Sequence, residues 1–121
     1  MRVVVADDEP DVRFLLRLQL QLAGFEVVGE AASGQEAVAV CAAEEPDAIV
    51  LDLLMPRGTG FEAIPQLRER QPNLHVVAYT AVAGQFVRDE MARLGAVLVL
   101  KSGDVDPVIR ALRTAPSGML S

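Results

Sequence analysis

Five residues of chemically useful type each follow an apolar run. Asp7 and Asp8 come after Arg2–Ala6, Asp52 after "DAIVL", Thr80 after Leu74–Tyr79, and Lys101 after Ala96–Leu100. Three carboxylates supply hard oxygen ligands, which suit Mg²⁺, an ion that keeps several waters and takes one or two protein carboxylates. A lysine ammonium is a compact point charge for a carboxylate or a phosphoryl oxygen, and a threonine hydroxyl is a donor. An aspartate can itself attack phosphorus and form an acyl phosphate. Adjacent acids such as Asp7, Asp8 and Glu9 repel one another, more so when buried. Either water or a cation must sit among them, and the whole set argues for a divalent cation.

Singly, each residue has an ordinary explanation. Asp7 and Asp8 could stabilise a helix N-terminus, and Glu9 is read as only that. Asp52 could be a loop cap, Thr80 a turn residue and Lys101 a solvated surface charge. "PRGTG" (56–60) lacks the spacing and the following lysine of a phosphate loop and reads as a turn. His75, at the start of its strand, is expected on the surface at the opposite edge. The joint placement at successive strand ends is what carries the chemical reading.

The elements that must position these residues can be read from periodicity and punctuation. Strands are expected at Arg2–Ala6, Phe25–Ala31, Asp47–Leu51, Leu74–Tyr79 and Ala96–Leu100. Helices are expected from Pro10 to Ala23, from a Ser33 cap to Glu45, over Phe61–Arg70 and Gln85–Leu94, and after an Asp106 cap with Pro107 in first position. Five βα units with apolar strands imply one α/β domain over 1–121 with a parallel sheet covered on both sides. In such sheets ligands bind at the carboxyl ends of the strands, where these five residues fall.

Composition narrows the function. Seventeen acids against eleven bases give a formal net charge of −6, which disfavours direct binding to nucleic acid or anionic lipid. No apolar run approaches the length of a membrane span, and Met1-Arg2 leads straight into a strand without a signal-peptide pattern, so a cytoplasmic protein is expected. Cys41, the single cysteine, sits in an Ala/Val-rich helix and reads as a small core residue.

With "VVVADDEP", "DAIVLDLLMP", "VVAYTA" and "VLVLKS" in this order and spacing, the chain resembles, over essentially its whole length, the receiver domain of two-component response regulators. The resemblance implies a flavodoxin-like (βα)₅ fold with strand order 2-1-3-4-5. It implies that Asp52 is the phosphoacceptor and that Thr80 and Lys101 contact the phosphoryl group, beside which Ala81 leaves room. It also implies Mg²⁺ held directly by Asp8, Asp52 and the Leu54 backbone carbonyl, with Asp7 assisting partly through water. The implied partner is a histidine kinase or phosphotransfer protein; a homodimer and a DNA-binding output domain outside this chain stay open. The domain is then a phosphoacceptor that assists its own phosphorylation and dephosphorylation rather than an enzyme.

Two positions depart from the family pattern. Leu98 stands where an aromatic switch residue is usual, and Ser102 where a proline with a cis bond is usual. Leu54 and Val82, apolar and two residues beyond Asp52 and Thr80, cannot orient a hydrolytic water by hydrogen bonds, so slow to moderate loss of the phosphoryl group is expected. Two other classes compete: an interaction module of the same fold regulated without phosphorylation, and an aspartate-dependent phosphohydrolase. The retained acids, Thr80 and Lys101 weigh against the first. Asp-Asp-Glu after the first strand, where such hydrolases carry Asp-x-Asp, weighs against the second. On the first helix, Leu16, Leu20 and Ala23 are expected to face inward. Phe14 and Leu18 would lie outside, with Val12 and Leu15 toward the site, as a docking surface for the kinase.

Overall fold

The computed structural model describes residues 1–82 and 84–114, so the expected span of one domain over 1–121 reaches beyond the described residues. Five strands, β1 (Arg2–Ala6), β2 (Glu26–Ala31), β3 (Ala48–Leu51), β4 (His75–Thr80) and β5 (Val97–Leu100), alternate with five helices. These are α1 (Pro10–Leu22), α2 (Gly34–Glu44), α3 (Gly60–Arg70), α4 (Gln85–Arg93) and α5 (Asp106–Arg113). The strands form one parallel sheet in the order β2-β1-β3-β4-β5.

Side chains alternate across a strand, and here the alternation sorts the core into two layers. Val4, Ala6, Ile49, Leu51, Val76 and Ala78 face the layer that α2, α3 and α4 close with Ala37, Cys41, Ile64, Leu67, Val87 and Met91. Val3, Val5, Val50, Val77 and Tyr79 face the other layer, which α1 and α5 close with Leu16, Leu20, Val108 and Leu112. The expected inner face of α1 is therefore present, although Ala23 is only half-buried, while Phe14, Leu15, Leu18 and Leu22 are exposed. Cys41 is buried as a core residue, and desolvation pushes its thiol up to about 12. The two edge strands are less covered than the uniform burial read from their apolar sequence, with Val97 and Leu100 exposed on β5.

Several local expectations need correction. Thr80 is the last residue of β4 rather than the first beyond it, because its pairing with Leu100 carries the β4–β5 ladder one step further. Asp106 is the first residue of α5, not its cap. Val105 holds the cap position without a side-chain bond, and the Asp104 carboxylate accepts the Asp106 N–H at 3.0 Å. His75 is buried, not on the surface. Its Nε2 lies 2.7 Å from the Ala111 carbonyl, and since a carbonyl only accepts, Nε2 carries the proton. Among the described residues no peptide bond is cis, so Lys101–Ser102 is trans.

The loop after β3 is fixed by close approach. Arg57 and Gly58 both take positive φ, and the Gly34 N–H donates to the Gly58 carbonyl at 2.7 Å. Ser33 and Thr59 cap α2 and α3 by accepting from the N–H groups of Glu36 and Glu62. A Cβ on Gly34 would stand 2.5 Å from the Gly58 oxygen and 2.7 Å from that of Thr59, both backbone atoms that cannot rotate away. Gly34→Ala is therefore expected to destabilise the protein by about 1–3 kcal/mol. The check is a lower urea midpoint at an unchanged m-value.

Candidate functional site

The site is assembled by backbone bonds that extend the ladder past each strand end. The N–H of Asp7 donates to Ala31 on β2, that of Asp52 to Ala6 on β1, and that of Lys101 to Thr80 on β4, each at 2.9 Å. The three side chains thus leave β1, β3 and β5 at one edge of the sheet. Asp7 and Asp52 have the alternation parity of Val5 and Val50, so they emerge on the α1/α5 side of the sheet. Lys101, two residues beyond Val99, shares that side.

Carboxylate oxygens of Asp7, Asp8 and Asp52 all lie within 4.8 Å of one another. Asp7 is 1% exposed, Asp52 is buried and Asp8 is open to solvent. The Lys101 ammonium sits between the two buried acids, 2.6 Å from Asp7 Oδ2 and 3.0 Å from Asp52 Oδ2. The remaining oxygens are anchored locally: Asp7 Oδ1 accepts the Glu9 N–H at 2.9 Å, and Asp52 Oδ1 that of Leu54 at 3.2 Å. Burial alone would pull the Lys101 pKa down, but contact with Asp7 and Asp52 outweighs it and leaves the ammonium above its ordinary range. Its stabilisation is therefore complete below the usual lysine pKa and is lost only as the pH climbs through the raised value.

One ammonium cannot neutralise three carboxylates, so the cluster keeps a surplus of two negative charges when all are ionised. Asp7 Oδ2 is buried and, close as Lys101 is, lacks a properly directed hydrogen bond. Oxygen-only donors, surplus negative charge and an under-satisfied buried oxygen fit a hard divalent cation.

Thr80 is fully buried, and its hydroxyl oxygen accepts the Val82 N–H at 3.4 Å, leaving the hydroxyl proton free to donate. Leu54 and Ala81 are both exposed, beyond the ends of β3 and β4. Sequence reasoning missed Arg13, whose guanidinium donates to the Asp7 carbonyl at 2.6 Å and pairs with Glu30, holding the loop after β1 against β2. It also missed Gly60, where a Cβ would stand 2.6 Å from the Asp52 carbonyl. The Asp–Glu spacing between residue 7 and the acid at 30 gave no signal for the first; a glycine immediately after a helix-capping threonine was a usable signal for the second. A cavity of about 680 Å³ lined by Phe25, Leu74, His75 and Leu112 lies at the opposite edge of the sheet, away from the carboxylates.

The family model for the response regulator receiver domain matches residues 3–113. The chemotaxis protein CheY of Thermotoga maritima is 32% identical over 112 residues, spanning 92% of this chain and 93% of that protein. The transcriptional regulatory protein PdtaR of Mycobacterium tuberculosis is 32% identical over 117 residues, and the match takes in 96% of this chain but 57% of PdtaR. Among solved structures, the isolated receiver domain of RcsB from Salmonella enterica, determined in the presence of the phosphomimetic BeF₃⁻, superposes with a TM-score of 0.83. It is 26% identical, covering 93% of this chain and 86% of its own. Sheet order, helical layers and sequence agree over nearly the same span: the chain belongs to the receiver-domain family of two-component response regulators.

Proposed function

We propose that the domain takes a phosphoryl group from a histidine kinase or phosphotransfer protein onto Asp52 and passes the change to an output surface. The observation that carries this reading is the Lys101 ammonium held 3.0 Å from Asp52 Oδ2 beside two further carboxylates. An Asp52 oxygen attacks phosphorus, the new O–P bond forms as the P–N bond to the donor histidine breaks, and the imidazole leaves. Lys101 stays charged and can follow the incoming phosphoryl oxygens. Thr80 donates its free hydroxyl proton to one of them, and the small Ala81 leaves them room. Asp8, Asp52 and the Leu54 carbonyl would hold Mg²⁺ directly, with Asp7 assisting partly through water. When bound, the cation neutralises charge developing on the phosphoryl oxygens. Catalysis is then mostly positioning and electrostatics, and the domain is a phosphoacceptor rather than an enzyme acting on a separate substrate.

The remaining parts of the reading follow the family. The domain as a whole is assigned to 1–121 and to the cytoplasm; among the described residues no helix is long and apolar enough to cross a membrane. The output surface is assigned to α4, β5 and α5, with a DNA-binding domain or a second copy of the chain as recipients. PdtaR, described as transcriptional, extends well beyond the matched region.

The central test uses acetyl phosphate with Mg²⁺ and intact-protein mass measurement. The wild-type protein should gain one labile phosphoryl group, and Asp52→Asn should gain none while its melting temperature holds or rises, because one charge leaves a repulsive cluster. A marked fall in melting temperature would make Asp52 a structural residue.

Mg²⁺ should stabilise the wild-type fold by mass action, by about 2.7 kcal/mol at a hundredfold excess over Kd. Asp8→Ala should remove most of that gain, since Asp8 is exposed and contributes as a ligand rather than through packing. An equal rise in melting temperature in the variant would overturn the ligand assignment.

Phe14 and Leu15 are exposed on α1, the helix that follows the loop carrying Asp7 and Asp8. Phe14→Ala or Leu15→Ala should slow transfer from the kinase on the order of tenfold, the effect of losing one contact worth about 1.4 kcal/mol. Labelling by acetyl phosphate should be spared; equal loss in both assays would indicate a damaged fold.

A further inference from the structure

The strand order sets Lys101 a distance problem. It leaves β5 but reaches Asp52 on β3 and Asp7 on β1, and β4 lies in between. Neighbouring strands are about 4.8 Å apart, so the side chain must cross the end of β4 on the α1/α5 side. The residue of β4 on that side, at the last position of that parity, is Tyr79. It is buried, its backbone is in register with Val99, and the Lys101 ammonium lies 6.0 Å from its ring centroid.

We propose that Tyr79 is a positioning residue for phosphoryl transfer, its ring forming the platform that carries Lys101 across β4 to Asp52. This rests on the reading of Asp52 as phosphoacceptor. A cation is attracted to an aromatic face within about 6 Å, and the methylene stem of a lysine lies well along apolar surface. Tyr79 is buried in the layer that also holds Val77, Val105 and Val108, and its planar ring has no flexible stem. The ring is therefore rigid where the four-carbon stem is not, and it limits the positions the ammonium can take. Burial raises the phenol pKa despite the opposing field of Lys101, so the ring stays neutral at physiological pH. Leucine or valine at this place would keep the layer apolar, with less volume, but offer the ammonium no attractive face.

The composition makes this testable with little ambiguity, because the chain has one tyrosine and one lysine, its other ten basic residues being arginines. Tyr79→Leu should lower the maximal rate of Asp52 labelling by acetyl phosphate and Mg²⁺ about three- to tenfold, the range of one partly desolvated cation–π contact. The donor concentration at half-maximal rate should not change. Tyr79→Phe, which keeps the ring and loses the hydroxyl, should restore most of the rate. In parallel, ¹⁵N-lysine labelling gives a single side-chain signal, whose relaxation should report a more mobile ammonium in Tyr79→Leu than in wild type or Tyr79→Phe, with no phosphodonor present. Equal rates and equal lysine mobility in Tyr79→Leu and wild type would overturn the proposal, as would a Phe variant as slow as the Leu variant. If Tyr79→Leu fails to fold, Tyr79→Met decides by the same two readouts. Failure of the wild-type protein to label at all would instead overturn the phosphoacceptor reading, while the lysine relaxation would still judge the platform.

Discussion

A single lysine holds together charges that would otherwise push the strand ends apart. Lys101 reaches across β4 to sit between Asp7 and Asp52, two acids buried at the tips of β1 and β3. Two carboxylates at this separation in a half-dry setting repel strongly, and removing the ammonium would leave both uncompensated. An ion pair of this kind is a poor source of net stability, since desolvation offsets much of the attraction. Its value lies in geometry: one charge that fits only one arrangement of three strands.

The sheet supplies that arrangement at little extra cost. Parallel ladders place each strand tip at the same edge, and backbone bonds running beyond the last strand residue fix Asp7, Asp52 and Lys101 before their side chains meet. The loop after β3 is held from the far side, where glycines let the α2 and α3 N-termini come within backbone contact of it. The acidic cluster therefore rests on rigid elements on both sides, while Asp8 and the neighbouring Leu54 are open to solvent.

Much of this was legible in the sequence because each reactive residue ends an apolar run, and parallel sheets gather such ends at one edge. The sheet order came from resemblance, and the structure agrees with it. What escaped reading were facts made by distant contacts. His75 looked like a surface histidine at a strand start, yet α5 brings the Ala111 carbonyl to its ring and allows burial. Tyr79 looked like one more apolar strand residue, since nothing in "HVVAYT" says that a lysine from another strand will cross it. The α5 start was misplaced because Asp106 reads as a cap beside Pro107, whereas Val105 holds that position and the Asp104 carboxylate accepts the Asp106 N–H, a turn only the folded chain reveals. Leu98 is half-buried against the α2–α4 layer as ordinary apolar packing.

The shared parity of Asp7, Asp52, Tyr79 and Lys101 also governs how such a chain can change in length. A strand alternates with a period of two, so inserting or deleting one residue inside β1, β3, β4 or β5 would turn the reactive side chain to the opposite layer. The connections at the other edge, around Gly24, Pro46 and Pro72, carry no such phase. They can lengthen at an entropic cost that grows only slowly with added residues. Tolerance to insertion should therefore be divided by the plane of the sheet's midpoint: free variation at one rim, and an all-or-none rule of even numbers at the other.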